Sequence, residues 1–410
     1  MRACFSSSNI MLPRKATAED AWAVVACDQY TSQPEYWKDV ERIAAEKPST
    51  LNIIFPEVYL PEMDERIARI RANMEDYLKE NILSEAVYDG FVLVERTTES
   101  GTRLGLVGKV DLENYDFTPG NGALIRATEG TVTSRIPPRV RIRSGAIIES
   151  PHVMMLIDDR EKKLIEPLYE KRNGFAALYD ATLMKGGGRV RGYAIEGEDA
   201  EAVNALLLDM QRASGGFFIS VGDGNHSLVT AKSWWDELKE RLSPEERESH
   251  PARYALAELV NLHSPALRFE PVHRVLFGVD AGALYRGFIA YCGELGVKAV
   301  GGDDLTFKGL GLNEGLSLEG TKGRLPVDVL QGYLDGFLAE NEKACIDYIH
   351  GEETPLGLSE ERGNCAIFLK SLDKRALFPA IAAGGVLPRK TFSMGEAHEK
   401  RYYMECRKIR

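Results

Sequence analysis

The sequence predicts an α/β protein of mixed α+β type. Short β-rich runs alternate with amphipathic helical stretches along the chain, and one apolar strand, GFFISVGDGNHS, stops at glycine with a helix opening within five residues. At 410 residues and 45.5 kDa, with 44% hydrophobic residues, the chain can bury a large core and divide into more than one packed unit. The expected division is an N-terminal α/β region over 1–155, a core over 156–298 that carries the glycine turn, and a C-terminal α/β region over 299–410.

Taken in order, AWAVVACDQY reads as a strand, WKDVERIAAEKP as a helix, and LNIIFPEVYL as an extended segment that ends at proline. From Met63 to Asn81, Ile67, Ile70, Met74, Tyr77 and Leu78 form one apolar stripe, which predicts a helix lying on a sheet. The β-rich runs on either side of Glu99-Ser100-Gly101 predict a hairpin. The stretch NYDFTPGNGALIRATEGTVTSRIPPRVRIRSG is rich in Gly, Pro and Thr and reads as an ordered loop carrying arginines. HVMMLIDD is a strand and EDAEAVNALLLDMQRASGG a helix ended by glycines. Met184 to Arg189 is a turn, because its lysine precedes the glycines. A helix follows from about Ser227, and Ser243-Pro244-Glu245-Glu246 has the residues of a capped helix start. YALAELVNL fits strand or helix, Gly301 to Gly323 reads as a loose boundary, and VDVLQGYLDGFLAEN and AIFLKSL predict a helix and a strand.

The most informative window is Gly222 to Ser227. Helix N-termini leave backbone N–H groups unpaired and carry partial positive charge, so they attract anions. Gly222 and Gly224 let the backbone approach a ligand and adopt positive φ. Asp223 and His226 stand where a proton acceptor, a magnesium ligand or a phosphate donor is useful, and Lys232 follows within two turns. The window is neither a Walker loop nor a G-x-G-x-x-G fingerprint. On spacing alone it serves equally as a tight turn in which Asn225 or Ser227 caps the helix and His226 packs.

Other candidates follow the same chemistry. His273 and Arg274 follow a proline-containing extended segment, and an arginine grips phosphate or carboxylate with two prongs. Pro388-Arg389-Lys390-Thr391 sets two cations beside a hydroxyl, and Glu129, Thr131, Arg135 and Arg139 are polar groups of the long loop. Each set is equally readable as surface or mutual pairing. His398 lacks the H-E-x-x-H spacing, and the sequence names no partner for His152, His250, His263 or His350.

Four of these windows together resemble the bacterial and archaeal proteins called domain-of-unknown-function family 1015. Val221 to Ser227 is similar to the family's D-G-H-H-R-Y segment, Ala127 to Thr131 with Arg139 to its H-E-x-T segment, Val272-His273-Arg274 to its H-R segment, and VLPRKTF to its M-P-P-K-S-T-x-F. Ser227 replaces an arginine of that pattern, and Thr128 a histidine. The turn in turn resembles the phosphate turn of sulfiredoxins, ParB-type nucleotidases and ParB-like free-serine kinases. This implies a ParB/sulfiredoxin-like nucleotide-binding core with additional α/β elements.

The implied activity is a nucleotide-dependent phosphotransferase or nucleotidase acting on a small metabolite, with ATP or ADP and magnesium as cofactors. Asp223 and His226 would lie at the transferred phosphoryl. Gly222, Gly224, Asn225 and Ser227 would cradle phosphate, with Glu129, Arg139, His273, Arg274 and Lys390 as the second wall. The alternative is a non-catalytic nucleotide- or metabolite-binding regulatory protein. A net charge of -11 argues against non-specific nucleic-acid binding. The scattered cysteines, the lack of a signal-peptide pattern and the lack of a long apolar run lead to the expectation of a cytoplasmic protein with no membrane partner.

Overall fold

The computed structural model describes residues 3–14, 21–130 and 136–410. They fall into two units: Met1–Phe117 with Asn121–Leu267 and Glu396–Arg410, and Thr118–Gly120 with Arg268–Gly395. The expected boundaries near 155 and 298 are replaced by breaks at 267 and 395. The reason is hydrogen bonding: strands from 1–155 and 156–298 alternate within one sheet, so neither region closes a core alone.

The main path of the first unit's mixed sheet runs Tyr115–Asp116, Ile125–Ala127, Ile219–Asp223, Met154–Ile157, Tyr254–Asn261, Gly101–Asp111, Leu83–Thr98, Gly188–Ile195 and Ala177–Leu183. The hairpin around Glu99-Ser100 forms as expected, and the apolar run YALAELVNL resolves as a central strand, buried from Ala255 to Asn261. Helix Met63–Lys79 buries Ile67, Ile70, Met74 and Tyr77 of the expected stripe, with Leu78 half-buried, and helix Gly197–Ala213 buries Ala200, Val203 and Leu207. Ser243 and Glu246 complete a reciprocal capping box on Pro244–Ser249.

Three local expectations change. AWAVVACDQY is no strand: it crosses the core with one isolated bridge, Val25 to Tyr402. LNIIFPEVYL winds into 3-10 turns at Thr50–Asn52 and Glu57–Glu62 rather than extending. The arginine-bearing loop contains strand Ile125–Ala127 and helix Ile136–Arg143, whose paired prolines sit in the first turn, where no intrahelical N–H is needed.

The second unit is a six-stranded antiparallel sheet with path Leu312–Glu319, Lys298–Gly309, Asn364–Leu369, Phe269–Phe277 and Cys345–His350; Phe392–Met394 also pairs with Phe269–Phe277. The glycine-rich stretch from Gly301 is thus a hairpin of this sheet, not a boundary. Helices Ala281–Glu294 and Pro326–Glu340 contribute Phe288, Leu330 and Leu334 to the buried side chains that include Phe307, Cys365 and Ile367.

The residues after 395 return to the first unit. Arg407–Lys408 pairs with Ile148–Glu149, Cys406 bridges to Met11, and the Trp22 indole donates to the Met404 carbonyl at 3.0 Å. The C-terminal segment is therefore built into the first unit's core rather than appended to it.

Candidate functional site at the glycine turn

Strand Ile219–Asp223 pairs parallel with Ile125–Ala127 and antiparallel with Met154–Ile157, and helix Asn225–Lys239 starts immediately after Gly224. Gly224 is the N-cap, left-handed at φ 78°, with a Cβ position 3.0 Å from the Val153 Cα. Only glycine takes that conformation cheaply there. Gly222 has another reason to be glycine. It lies at a register shift in the pairing, has no positive φ, and a Cβ would sit 2.8 Å from the Leu156 side chain. The expectation of positive φ at both glycines is thus met at Gly224 alone.

The turn's polar groups are partly spent on itself. Gly224 N–H donates to its neighbour Asp223 Oδ1 at 3.0 Å, and the Ser227 and Leu228 amides turn back to the Gly224 carbonyl at 3.0 and 3.1 Å. The Asn225 amide, first in the helix, has no acceptor among the described residues. Its side-chain Nδ2 donates to Thr128 Oγ1 at 3.4 Å, while its Oδ1 is buried without a hydrogen-bond partner. Thr128, where the resemblance has histidine, is buried and donates to the Val221 carbonyl at 2.7 Å. It is a strap between the two parallel strands. No side chain caps the helix, so neither Asn225 nor Ser227 acts as the cap.

Charged groups gather at the end of the turn strand. Asp223 Oδ2 lies 3.4 Å from Lys400 Nζ, a side chain only 14% exposed. His152, from the segment before Met154–Ile157, places Nε2 3.5 Å from Ser227 Oγ and 3.8 Å from Asp28 Oδ1, with Nδ1 2.6 Å from the Tyr403 hydroxyl. The Tyr403 hydroxyl also accepts from Cys27 N–H at 3.1 Å, which ties His152 to the Cys27–Asp28 segment. Burial alone would raise the Asp28 carboxyl; His152, Gln29 and Lys400 outweigh it and hold Asp28 below the usual carboxylate value. Burial, reinforced by Asp28, pushes the Cys27 thiol up, so it is an inert thiol.

Of the other expected residues, Glu129 stands two positions beyond Ala127 and Asp223 two beyond Val221, and Ala127 and Val221 are registered partners. The two acids therefore end neighbouring strands. Arg139, on helix Ile136–Arg143, pairs with Glu57, whose N–H donates to the Cys27 carbonyl at 2.9 Å, so this pair adjoins Asp28. Lys232 pairs with Asp236 at 3.0 Å. Thr131 and Arg135 lie outside the described residues.

His273, Arg274 and Lys390 belong to the second unit. Arg274 is fully buried; it donates to the Lys390 carbonyl at 3.0 Å and the Arg389 carbonyl at 3.4 Å, and lies by Gln331. His273 is buried and accepts from Leu369 N–H at 3.1 Å. Lys390 is exposed, left-handed at φ 59°, in a turn closed by Thr391 Oγ1 donating to the Pro388 carbonyl at 2.7 Å. Two windows far apart in sequence thus form one structural feature, Arg274 holding the 388–391 turn.

Asp28, His152, Lys400 and Tyr403 are not foreseen from sequence. Each stands in a window with no spacing signal, and the nearest hint, the charge of GEAHEKR, points to a zinc pattern that is absent. Among the described residues no group of three or more His, Cys, Asp or Glu is arranged to hold a metal.

Comparison with known proteins adds the following. No curated protein sequence matches the chain. Among solved structures, a free serine kinase in complex with AMP matches with TM-score 0.38 at 9% identity, covering 72% of this chain and 90% of that one. A conserved hypothetical protein from Pyrococcus furiosus matches with TM-score 0.34 at 10% identity, covering 70% and 89%. SbnI with C-terminal truncation from Staphylococcus aureus matches with TM-score 0.38 at 7% identity, covering 70% and 82%. The model of the family described as "Protein of unknown function (DUF1015)" matches residues 11–309, most of the chain, so the protein belongs to that family.

Proposed function

We propose that the protein binds a nucleotide, ATP or ADP, with its phosphates at the Gly222–Ser227 turn, and transfers a phosphoryl group to a small metabolite or to water. The observation that carries this reading is the Gly224 N-cap. A left-handed glycine with no capping side chain opens helix Asn225–Lys239, and the Asn225 amide faces its N-terminal end without an acceptor. Phosphoryl transfer requires chiefly positioning and charge neutralisation, which such a turn supplies with the groups beside it.

Asp223 is the proposed base or magnesium ligand, His226 the proposed donor to the transferred phosphoryl, and Glu129 and Arg139 the neighbouring wall. Magnesium fits this donor set. It is commonly held by one or two carboxylates together with the substrate's phosphates and water, and Asp223 and Asp28 are both carboxylates that feel the charge of Lys400. The ion would arrive with the nucleotide.

The test is phosphate release or transfer from ATP and ADP, with magnesium, across a panel of hydroxyl-bearing metabolites. Asp223→Ala and His226→Ala are expected to lose activity at least about 100-fold, the usual scale for a positioned proton-transfer group. Unchanged rates in both variants would remove the assignment.

A second reading, a regulatory protein that binds nucleotide without turning it over, is favoured by one detail: Asp223 already accepts from Gly224 and pairs with Lys400. It predicts a thermal shift with nucleotide and no product in a long incubation.

A further inference from the structure

We propose that Lys400, delivered by the C-terminal segment, is the cation that grips the phosphate bound at the turn. The inference rests on the reading of the turn as a phosphate site.

Ser227, in the first turn of the helix, supplies no charge to the turn. Its side chain is short and neutral, and its Oγ lies 3.5 Å from His152 Nε2. A cation near this end of the helix must come from elsewhere, and Lys400 Nζ, 3.4 Å from Asp223 Oδ2, is in place.

The backbone of Lys400 is fixed by its neighbours. The Arg401 guanidinium binds Glu258 at 2.7 Å, Glu405 at 2.5 Å and the Pro151 carbonyl at 2.7 Å, while Lys400 N–H closes the 3-10 turn Ala397–Glu399. Tyr402 bridges to Val25, two residues before Cys27. The side chain itself is held only by charge. Its ion pair with Asp223 is longer than a good N–H···O bond, and it donates no hydrogen bond among the described residues. Three donors on a mostly buried ammonium are thus available to a ligand. Both neighbouring carboxylates have other donors to keep: Gly224 N–H for Asp223, the Gln29 amide and His152 for Asp28. Lysine's flexible stem lets the ammonium turn from Asp223 to a phosphate oxygen without moving the backbone.

Lys400 lies outside the family match at 11–309, yet beside the turn inside it. The chain leaves the first unit at 267 and comes back at 396, so the returning segment would bring a ligand group as well as core residues.

The experiment compares unaltered protein, Lys400→Gln and Lys400→Arg by calorimetric titration with ADP and magnesium at low and high salt. The expected result is a loss of affinity of roughly 10- to 100-fold in Lys400→Gln, the range for a hydrogen bond to a charged group, with a flatter salt dependence. Lys400→Arg should retain most of the affinity. Equal affinity and equal salt dependence in Lys400→Gln would overturn the role of Lys400 while leaving the turn's nucleotide reading intact. Absence of binding to the unaltered protein would overturn both. If the Gln variant does not fold, the unaltered protein answers instead. After reductive methylation with a carbon-13 label, the Lys400 resonance, identified by its loss in Lys400→Arg, should shift on adding ADP. A resonance that stays put while ADP binds refutes the assignment.

Discussion

A methyl group added at Gly224 has nowhere to go. The residue is left-handed at φ 78°, and the new Cβ would lie 3.0 Å from a backbone atom, Val153 Cα, which cannot rotate aside. Gly224→Ala is expected to destabilise the first unit by about 1–2 kcal/mol in urea unfolding, the ordinary cost of left-handed backbone in an L-residue. Gly222→Ala meets a different obstacle, the Leu156 side chain at 2.8 Å, and its φ is unexceptional. A Leu156→Ala change should therefore relieve Gly222→Ala and leave Gly224→Ala unrelieved, which a double-mutant cycle for each pair would measure. Strain that no neighbour can relieve marks the position where the turn's shape is fixed. The aspartate beside it can change with less structural effect. Asp223→Asn keeps an oxygen for Gly224 N–H but loses the charge facing Lys400, so stability should change by under about 1 kcal/mol, as for partly exposed ion pairs. If Asp223 acts as base or magnesium ligand, the same variant should lose phosphoryl transfer.

The C-terminal segment is the element that most depends on the rest of the chain. Arg401 sits 6% exposed between Glu258 and Glu405, and Tyr179 donates its hydroxyl to Glu405. Gly105 is glycine because any Cβ there would lie 2.2 Å from Glu258 Oε1. Beside this network Arg96 is buried, and desolvation, then Arg103, pushes its guanidinium down to about 9. Removing one partner of a buried ion pair leaves a stranded charge. Glu258→Ala should thus cost about 3–5 kcal/mol and unfold the first unit at lower urea, whereas breaking an exposed pair such as Lys38 with Glu35 should leave the urea midpoint almost unmoved. The same element explains what can be read from sequence and what cannot. The Met63–Lys79 stripe, the Ser243 capping box and the glycine stop at 222–224 are contacts within a few residues, and their spacing carries them. Arg401 to Glu258, Tyr403 to His152 and Lys400 to Asp223 span 143, 251 and about 180 residues along the chain, and no periodicity encodes such pairs. The turn was visible for that reason, and the charged groups beside it were not. Arg274 illustrates the converse: a charged residue that looks ligand-directed in sequence spends its donors on the backbone of its own unit.

At the scale of the whole molecule, the second unit is built from the excursion Arg268–Gly395 together with the short segment Thr118–Gly120. The two units should respond differently to acid, because their buried ionisable groups differ. In the first unit Glu258 and Glu149 are buried; desolvation would raise both, but Arg103 and Arg401, and Arg407 and Arg143, hold them below the usual value of 4.5. Their folded pKa values lie under the unfolded ones, so their contribution is full above about 4.5 and is lost only as pH falls further. In the second unit, burial lowers the His273 imidazole from 6.5, and its Nδ1 must stay unprotonated to accept from Leu369 N–H. As pH falls through 6.5 the unfolded chain takes up a proton before the folded one does. The stability that neutral His273 supplies is therefore full above about 6.5 and declines below it. Hydrogen exchange read at strand Asn364–Leu369 should accelerate between pH 7 and 5, after correction for intrinsic rates, and His273→Gln should flatten that dependence. All four tryptophans, Trp22, Trp37, Trp234 and Trp235, belong to the first unit, so tryptophan emission is blind to this loosening and serves as the internal control. Exchange at 364–369 that is independent of pH over that range would show that His273 is not the acid-sensitive contact of the second unit.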